Sequence, residues 1–299
     1  MNKRAKGERE MRIDRRAFLG LGVGAVAWVA CGRPKEEVTP EASQAPLSLA
    51  IASVEHALGD RRVAVAYMEN GVPTAPRSPR MSLISPDEKP VKAEGQIVTI
   101  GFRAGSAPAA QTDAKNLIIV DHLFQEAGTW RVRLDSGDRT LETPFTVLEK
   151  SASPMVGDEA LLSESATKDE PRGVDPLCTL NPVCKQHEMT IAQAVSSGKP
   201  SVISFVTPAL CESRTCGPTL DIVENTRKKV GDDVNFVHIE IYKDLQAKKQ
   251  SETVAEWKLP GEPWVVFVGD DGKVKARWSG AVGVEDFPGA VAALAAGKL

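Results

Sequence analysis

Through much of the first half of the chain, apolar and polar positions alternate with a period of two. The runs RRVAVAYM, MSLIS, QIVTIGF, LIIVDHLF, TWRVRLD and ETPFTVLE lie between residues 47 and 150, with Gly, Pro, Asp and Asn in the gaps between them. Alternation turns one set of side chains to a core and the other to solvent. Repeated at this spacing it predicts an all-β domain over 47–150, an antiparallel sandwich of about seven strands.

The pattern changes after residue 177. MTIAQAVSSGK reads as a short helix ending at Gly198, and PSVISFVTP as a strand apolar or small on both faces. GPTLDIVENTRKKVG follows as a helix, with Leu220, Ile222, Val223 and Val230 forming a rough stripe, and NFVHIEIY as a second strand. DLQAKKQSETVAEW is expected as a polar helix. PWVVFVGDDGKVKARWSG reads as two strands joined by an Asp-Asp-Gly turn, and VEDFPGAVAALAAGKL as a closing helix. An α/β domain over 178–299 is the result.

Between these domains, residues 151–177 lose periodicity and gain Ser, Pro, Gly and acid, which predicts a linker. Residues 32–46, GRPKEEVTPEASQAP, have almost no apolar content and read as a flexible tether. In residues 1–31 a charged segment with a basic excess precedes the apolar run AFLGLGVGAVAWVAC. That run is shorter than the ~20 residues a membrane-spanning helix needs, so it reads as the core of a signal peptide. DRRAFLG resembles the twin-arginine export signal at Arg15 and Arg16, and WVAC resembles a bacterial lipobox. These resemblances imply an exported chain, lipid-anchored through Cys31 to the outer face of the cell membrane, with translation starting at Met1 or Met11.

At 299 residues and 42% hydrophobic content the chain has material for two cores. A net charge of −3 and the lack of a basic, aromatic-rich stripe argue against a nucleic-acid partner. His56 and His122 stand without a nearby cysteine or second histidine and are expected to pack. No cofactor motif is present.

Chemistry concentrates in the cysteines. Cys31 apart, there are two close pairs, Cys178 with Cys184 and Cys211 with Cys216. In an exported chain such pairs can persist as disulfides, and four cysteines allow three connectivities. The two local pairings are the simplest. Cys178, Cys184 and His187 form Cys-x5-Cys-x2-His, only three ligands for a metal, so a disulfide closing the proline-containing loop is the plainer expectation and no metal site is assigned. His238, on the strand FVHIEIY, is expected in the core or at a sheet edge, and Trp264 is expected to pack.

Cys216 opens the motif Cys216-Gly217-Pro218 at the start of a helix that follows a strand, and Glu262-Pro263 precedes the strand WVVFV. From about Pro200 to Leu299 these motifs and the order of elements resemble a thioredoxin-like domain. EAGTWRVRLDSGDRTLETPFTVLE, in the first domain, resembles the closing strands of the immunoglobulin-like modules of exported bacterial proteins. The thioredoxin resemblance implies a cis-proline at Pro263 beside the active-site cysteine, with Glu262, Gly217 and Pro218 in the substrate-binding rim. It also implies thiol–disulfide exchange with exported protein thiols or disulfides as partners. The chain departs from that family twice: Thr219 stands where the second cysteine belongs, and Ser204 where an acid often assists proton transfer. Cys211 then becomes the expected partner, with Cys216 attacking, Cys211 resolving and Arg214 helping to ionise the thiol. Two other readings stay open here: a non-catalytic binding lipoprotein with structural disulfides, and a copper site built from Cys211, Cys216 and His238. A peroxidase reading, from TPALC, is weaker.

Overall fold

Small and β-branched residues fill positions 63–66 of the strand Arg62–Glu69, and their burial on both faces explains how the first half of the chain is layered. The computed structural model describes residues 46–101, 115–211 and 215–299. Arg15, Arg16, Cys31 and Arg214, and with them the export, lipidation and tether expectations, lie outside the described residues.

The first half forms two sheets. In chain order its strands are β1 (Leu47–Ile51), β2 (His56–Ala57), β3 (Arg62–Glu69), β4 (Val72–Thr74), β5 (Arg80–Ile84), β6 (Pro90–Lys92), β7 (Glu94–Ile100), β8 (Lys115–Asp121), β9 (Gly128–Ser136) and β10 (Arg139–Leu148). One sheet runs β1-β3-β8-β7 with β4 on β3, the other β2-β10-β9-β5-β6. All pairings are antiparallel except the short β2–β10 pair. Val63, Val65, Ile118 and Val120 of the first sheet meet Leu83, Trp130, Val132, Leu134 and Phe145 of the second in one core. The expected all-β sandwich is present, with extra short strands β1, β2, β4 and β6 that the sequence pattern did not mark.

The outer face of the first sheet is also buried. Ala64, Ala66, Val98, Leu117 and Ile119 pack with Ala281 from the far end of the chain. Gly280, at φ +89°, lets that segment approach: a Cβ there would lie 2.2 Å from the Ala52 carbonyl oxygen. Buried ion pairs flank the contact. Arg277 donates to Asp60 at 2.8 and 3.0 Å and to Glu55 at 3.1 Å, while Arg62 donates to Asp286 at 3.0 Å. Residues Gln44–Leu299 accordingly cluster as one unit.

The second half contains α1 (Ile191–Ser196), β11 (Ser201–Phe205), α2 (Cys216–Val230), β12 (Asn235–Ile239), β13 (Tyr242–Asp244), β14 (Lys249–Gln250), α3 (Glu252–Trp257), β15 (Trp264–Val268), β16 (Val274–Ser279) and α4 (Phe287–Ala295). The main sheet is ordered β12-β11-β15-β16, with β11 and β12 parallel and the other neighbours antiparallel. Alternation along its strands separates two faces. Ile203, Phe205, Val237, Val266 and Val268 pack against Ile191 and Val195 of α1 and Val254 and Trp257 of α3. Val202, Phe236, Val265 and Phe267 pack against Ile222 and Val223 of α2 and Phe287 and Val291 of α4.

Two expectations need correction. The polar helix DLQAKKQSETVAEW is instead the hairpin β13–β14 followed by α3 alone, because Lys248 turns the chain at φ +49° and only Thr253, Val254 and Trp257 supply buried anchors. Residues 151–177 have no helix or extended strand, yet they do not run free. Ser163 Oγ accepts the Trp257 indole N–H at 2.9 Å, Ser165 Oγ accepts the Ile191 N–H at 3.0 Å, and both serines are buried. The segment coats α1 and α3, its hydroxyls satisfying donors that burial would otherwise orphan.

Candidate functional site

β11 delivers the chain to a loop that returns at Cys216, the first residue of α2. A disulfide joins Cys211 and Cys216 across this loop, with Cα atoms 5.8 Å apart. Access to the two sulfurs differs: Cys216, the expected attacking cysteine, is fully buried, whereas Cys211 is partly exposed. The Cys216 backbone N–H, one of the donors a helix start leaves unpaired, reaches Cys211 Sγ at 3.2 Å. It can stabilise negative charge on the exposed sulfur.

The Glu262–Pro263 bond is cis. Glu262 Oε2 accepts the Thr207 N–H at 3.2 Å, and this carboxylate, Cys211 Sγ and Cys216 Sγ lie within 4.8 Å of one another. Gly217 has open space around it, and Pro218 is buried in the first turn of α2. Thr219 and Ser204 are both fully buried, and neither hydroxyl has a hydrogen-bond partner. Trp264 packs in the core beneath Arg277.

The second cysteine pair is in a different chemical state. Cys178 and Cys184 are unbonded, with sulfurs 3.7 Å apart, where a disulfide was expected. Between and beside them stand two imidazoles. His238 Nδ1 lies 3.4 Å from Cys184 Sγ, 3.8 Å from Cys178 Sγ and 3.1 Å from His187 Nε2. All four residues are buried, and their donor atoms fall within 4.8 Å of one another. His238 Nε2 faces the Val206 carbonyl oxygen at 3.0 Å, which places the proton on Nε2 and the lone pair of Nδ1 toward the sulfurs.

The loop carrying the cysteines is tied to the sheet. Thr179 donates from its backbone N–H and its hydroxyl to Glu240 Oε1 at 2.6 and 2.9 Å. The His238 backbone N–H donates to the Gln186 carbonyl at 2.9 Å. The hydrogen bond between the thiols pulls the pKa of Cys178 far down and pushes that of Cys184 far up. Burial lowers His187 and raises Glu240. Burial also works against a charged His238, but Cys178 and Glu240 outweigh it and its pKa is raised.

The two sulfur sites are neighbours. Cys178, Leu180, Cys184, Val206, Cys216 and Leu220 form one buried cluster, with Cys211 packed against it. Thr179 Oγ1, held by Glu240, accepts the Ala209 N–H at 3.2 Å in the loop leading to Cys211. Sequence reasoning counted three ligands around Cys178 because the fourth, His238, is remote in the chain. The available signal was a single imidazole on a strand otherwise apolar on both faces.

Elsewhere, His56 packs edge-on against Phe145 at 5.0 Å and His122 lies 5.1 Å from Phe124, both as packing residues. Among the described residues no helix is long and apolar enough to cross a membrane. No family model matches the chain, and no curated protein matches it. A solved structure of a conjugative transposon lipoprotein from Bacteroides eggerthii aligns with 34% of this chain and 96% of its own, at 11% identity and a TM-score of 0.19. A likeness at that level carries no argument about the present chain.

Proposed function

We propose that the chain is an exported, membrane-tethered thioredoxin-like protein that performs thiol–disulfide exchange through Cys211 and Cys216. The observation that carries this reading is the pairing of one accessible and one buried sulfur at the start of α2, with Glu262 and cis-Pro263 beside them. Support also comes from the sheet order β12-β11-β15-β16 with helices on both faces, the arrangement that the sequence resemblance implies. The sandwich, immunoglobulin-like by the same kind of resemblance, docks the exchange domain. Cys31, lipidated, would hold the whole at the membrane.

In the reducing direction the Cys211 thiolate attacks one sulfur of a substrate disulfide, and the other substrate sulfur leaves as a thiolate that takes up a proton. The Cys216 thiolate then attacks Cys211 Sγ, restoring the intramolecular disulfide and releasing the second substrate thiol. Two electrons pass from the cysteine pair to the substrate, and the reverse sequence oxidises a substrate dithiol. Glu262 is placed to take the Cys216 proton before the second step, a task the buried Ser204 cannot perform. Pro263 lines the path of the substrate backbone.

Incubating the reduced protein with a disulfide substrate tests this. Cys216→Ser is expected to accumulate a mixed disulfide on Cys211, and Cys211→Ser to form none. A wild-type protein that neither reduces any test disulfide nor oxidises any test dithiol would instead support the binding-module reading, which Thr219 and Ser204 favour.

A further inference from the structure

We infer that Cys178, Cys184, His187 and His238 form a tetrahedral zinc site. Four donor atoms of the right kinds converge, two sulfurs and two imidazole nitrogens, all buried. Zinc bonded at about 2.3 Å to sulfur and about 2.0–2.1 Å to nitrogen in a tetrahedron requires separations of roughly 3.8 Å between sulfurs, 3.6 Å between sulfur and nitrogen, and 3.3 Å between nitrogens. The corresponding distances are 3.7 Å between sulfurs, 3.4 and 3.8 Å from the sulfurs to His238 Nδ1, and 3.1 Å between the two nitrogens.

The surroundings fit a ligand set. Donation of the His238 Nε2 proton to the Val206 carbonyl fixes the tautomer that leaves Nδ1 free to coordinate, the usual support for a metal-bound imidazole. Thr179, next to Cys178, and Gln186, between Cys184 and His187, are pinned to Glu240 and to the His238 backbone, so the three loop ligands are held against the strand that carries the fourth. A cavity of about 280 Å³ lined by His187, His238, Glu240, Glu164 and Arg172 leads to the imidazoles and offers an entry path.

Charge selects the ion. Two thiolates and two neutral imidazoles carry −2, so a divalent cation makes the buried site neutral, whereas a cuprous ion would leave an uncompensated negative charge there. Zinc suits the mixed sulfur and nitrogen donors and the closed four-coordinate geometry of a structural site. Coordination would release to solvent whatever protons the two thiols carry and involves no redox change. It would keep Cys178 and Cys184 reduced beside a disulfide that cycles, and hold the 178–187 loop against the segment leading to Cys211. The zinc assignment stands independently of the exchange activity.

The test uses the full-length protein, reduced and freed of metal, then titrated with Zn2+ or Co2+. One ion per chain is expected, and the cobalt form should give the absorption of a tetrahedral, thiolate-ligated ion. Cys184→Ser and His238→Gln should each weaken binding by at least the roughly 10–100-fold that even loss of a supporting contact costs. Cys211→Ser and Cys216→Ser should leave it unchanged. Should the ligand variants fail to fold, the wild type still decides: zinc should protect Cys178 and Cys184 from alkylation, and a chelator should expose them. Substoichiometric binding, an octahedral cobalt spectrum, loss of the ion in Cys211→Ser alone, uptake of copper with zinc and cobalt refused, or a Cys178–Cys184 disulfide that forms in reductant and zinc would each overturn the assignment.

Discussion

Two cysteine pairs of nearly equal spacing lie in one buried cluster, yet one is a disulfide and the other is not. Their neighbours account for the difference. Cys211 and Cys216 sit at a helix start, with a backbone N–H on the accessible sulfur and a carboxylate nearby. Around Cys178 and Cys184 are two imidazole nitrogens at coordination-like spacing, with the His238 ring oriented by a carbonyl and a glutamate. Cysteine spacing alone therefore says little about chemistry, because both pairs could close a short loop. What distinguishes them is the set of groups that the fold brings from elsewhere in the chain.

The sharpest way to break the contrast is to remove one sulfur from each pair. Cys216→Ser should reduce turnover in a dithiol exchange assay to the background rate of free thiols, while Cys184→Ser should keep exchange chemistry and lose metal. Equal loss of exchange in both would mean that the pairs act as one relay.

A large effect on stability is expected at a third place, the contact between sandwich and exchange domain. Arg277→Ala leaves the Asp60 carboxylate buried without its partner and should cost about 3–5 kcal/mol in denaturant unfolding. Exchange activity measured well below the unfolding midpoint should be retained, since neither sulfur pair touches Arg277.

The same contact confers a pH dependence on stability. Burial, then the charges of Arg277 and Arg62, lower the His56 pKa from 6.5 to about 4. The native state thus resists a proton that the unfolded chain accepts. This contribution to stability is fully present above about pH 6.5 and is lost as pH drops toward 4, roughly 3 kcal/mol in all. Chemical denaturation at a series of pH values should show this loss, and His56→Phe should flatten it.

The smallest effect sharpens the exchange site itself. Glu262→Gln keeps the size of the side chain and removes its capacity to accept a proton, and should slow resolution of the mixed disulfide by about tenfold near neutral pH. Binding of metal at the other pair should not change.

Much of this layout was legible in the chain. Period-two runs located β3, β5 and β7 to β10, and apolar strands between amphipathic helices gave the main elements of the second half. The thioredoxin resemblance implied a cis-proline at Pro263, before WVVFV, and the bond before it is cis. The missing parts have physical reasons. Residues 151–177 look like a linker because their contribution is made by Ser163 and Ser165, polar residues buried as hydrogen-bond acceptors and invisible to a hydrophobic pattern. The hairpin β13–β14 was hidden in a charged stretch with no alternation to read. His238 could not be assigned to Cys178 and Cys184 because more than fifty residues separate them and they meet only where the cysteine loop lies against β12, with the His238 N–H on the Gln186 carbonyl. The difference in access between Cys211 and Cys216 was not legible either, because sequence carries the helix start but not which cysteine is buried.

The central claim is that the Cys211–Cys216 bond opens and closes in function. Its reduction potential, measured by equilibrating the protein with a glutathione or dithiol redox buffer and counting thiols on Cys211 and Cys216, tests this most directly. The account predicts a potential above about −300 mV, within the range in which exchange with other protein thiols proceeds, whereas a lower potential would mark the bond as a structural staple and contradict it.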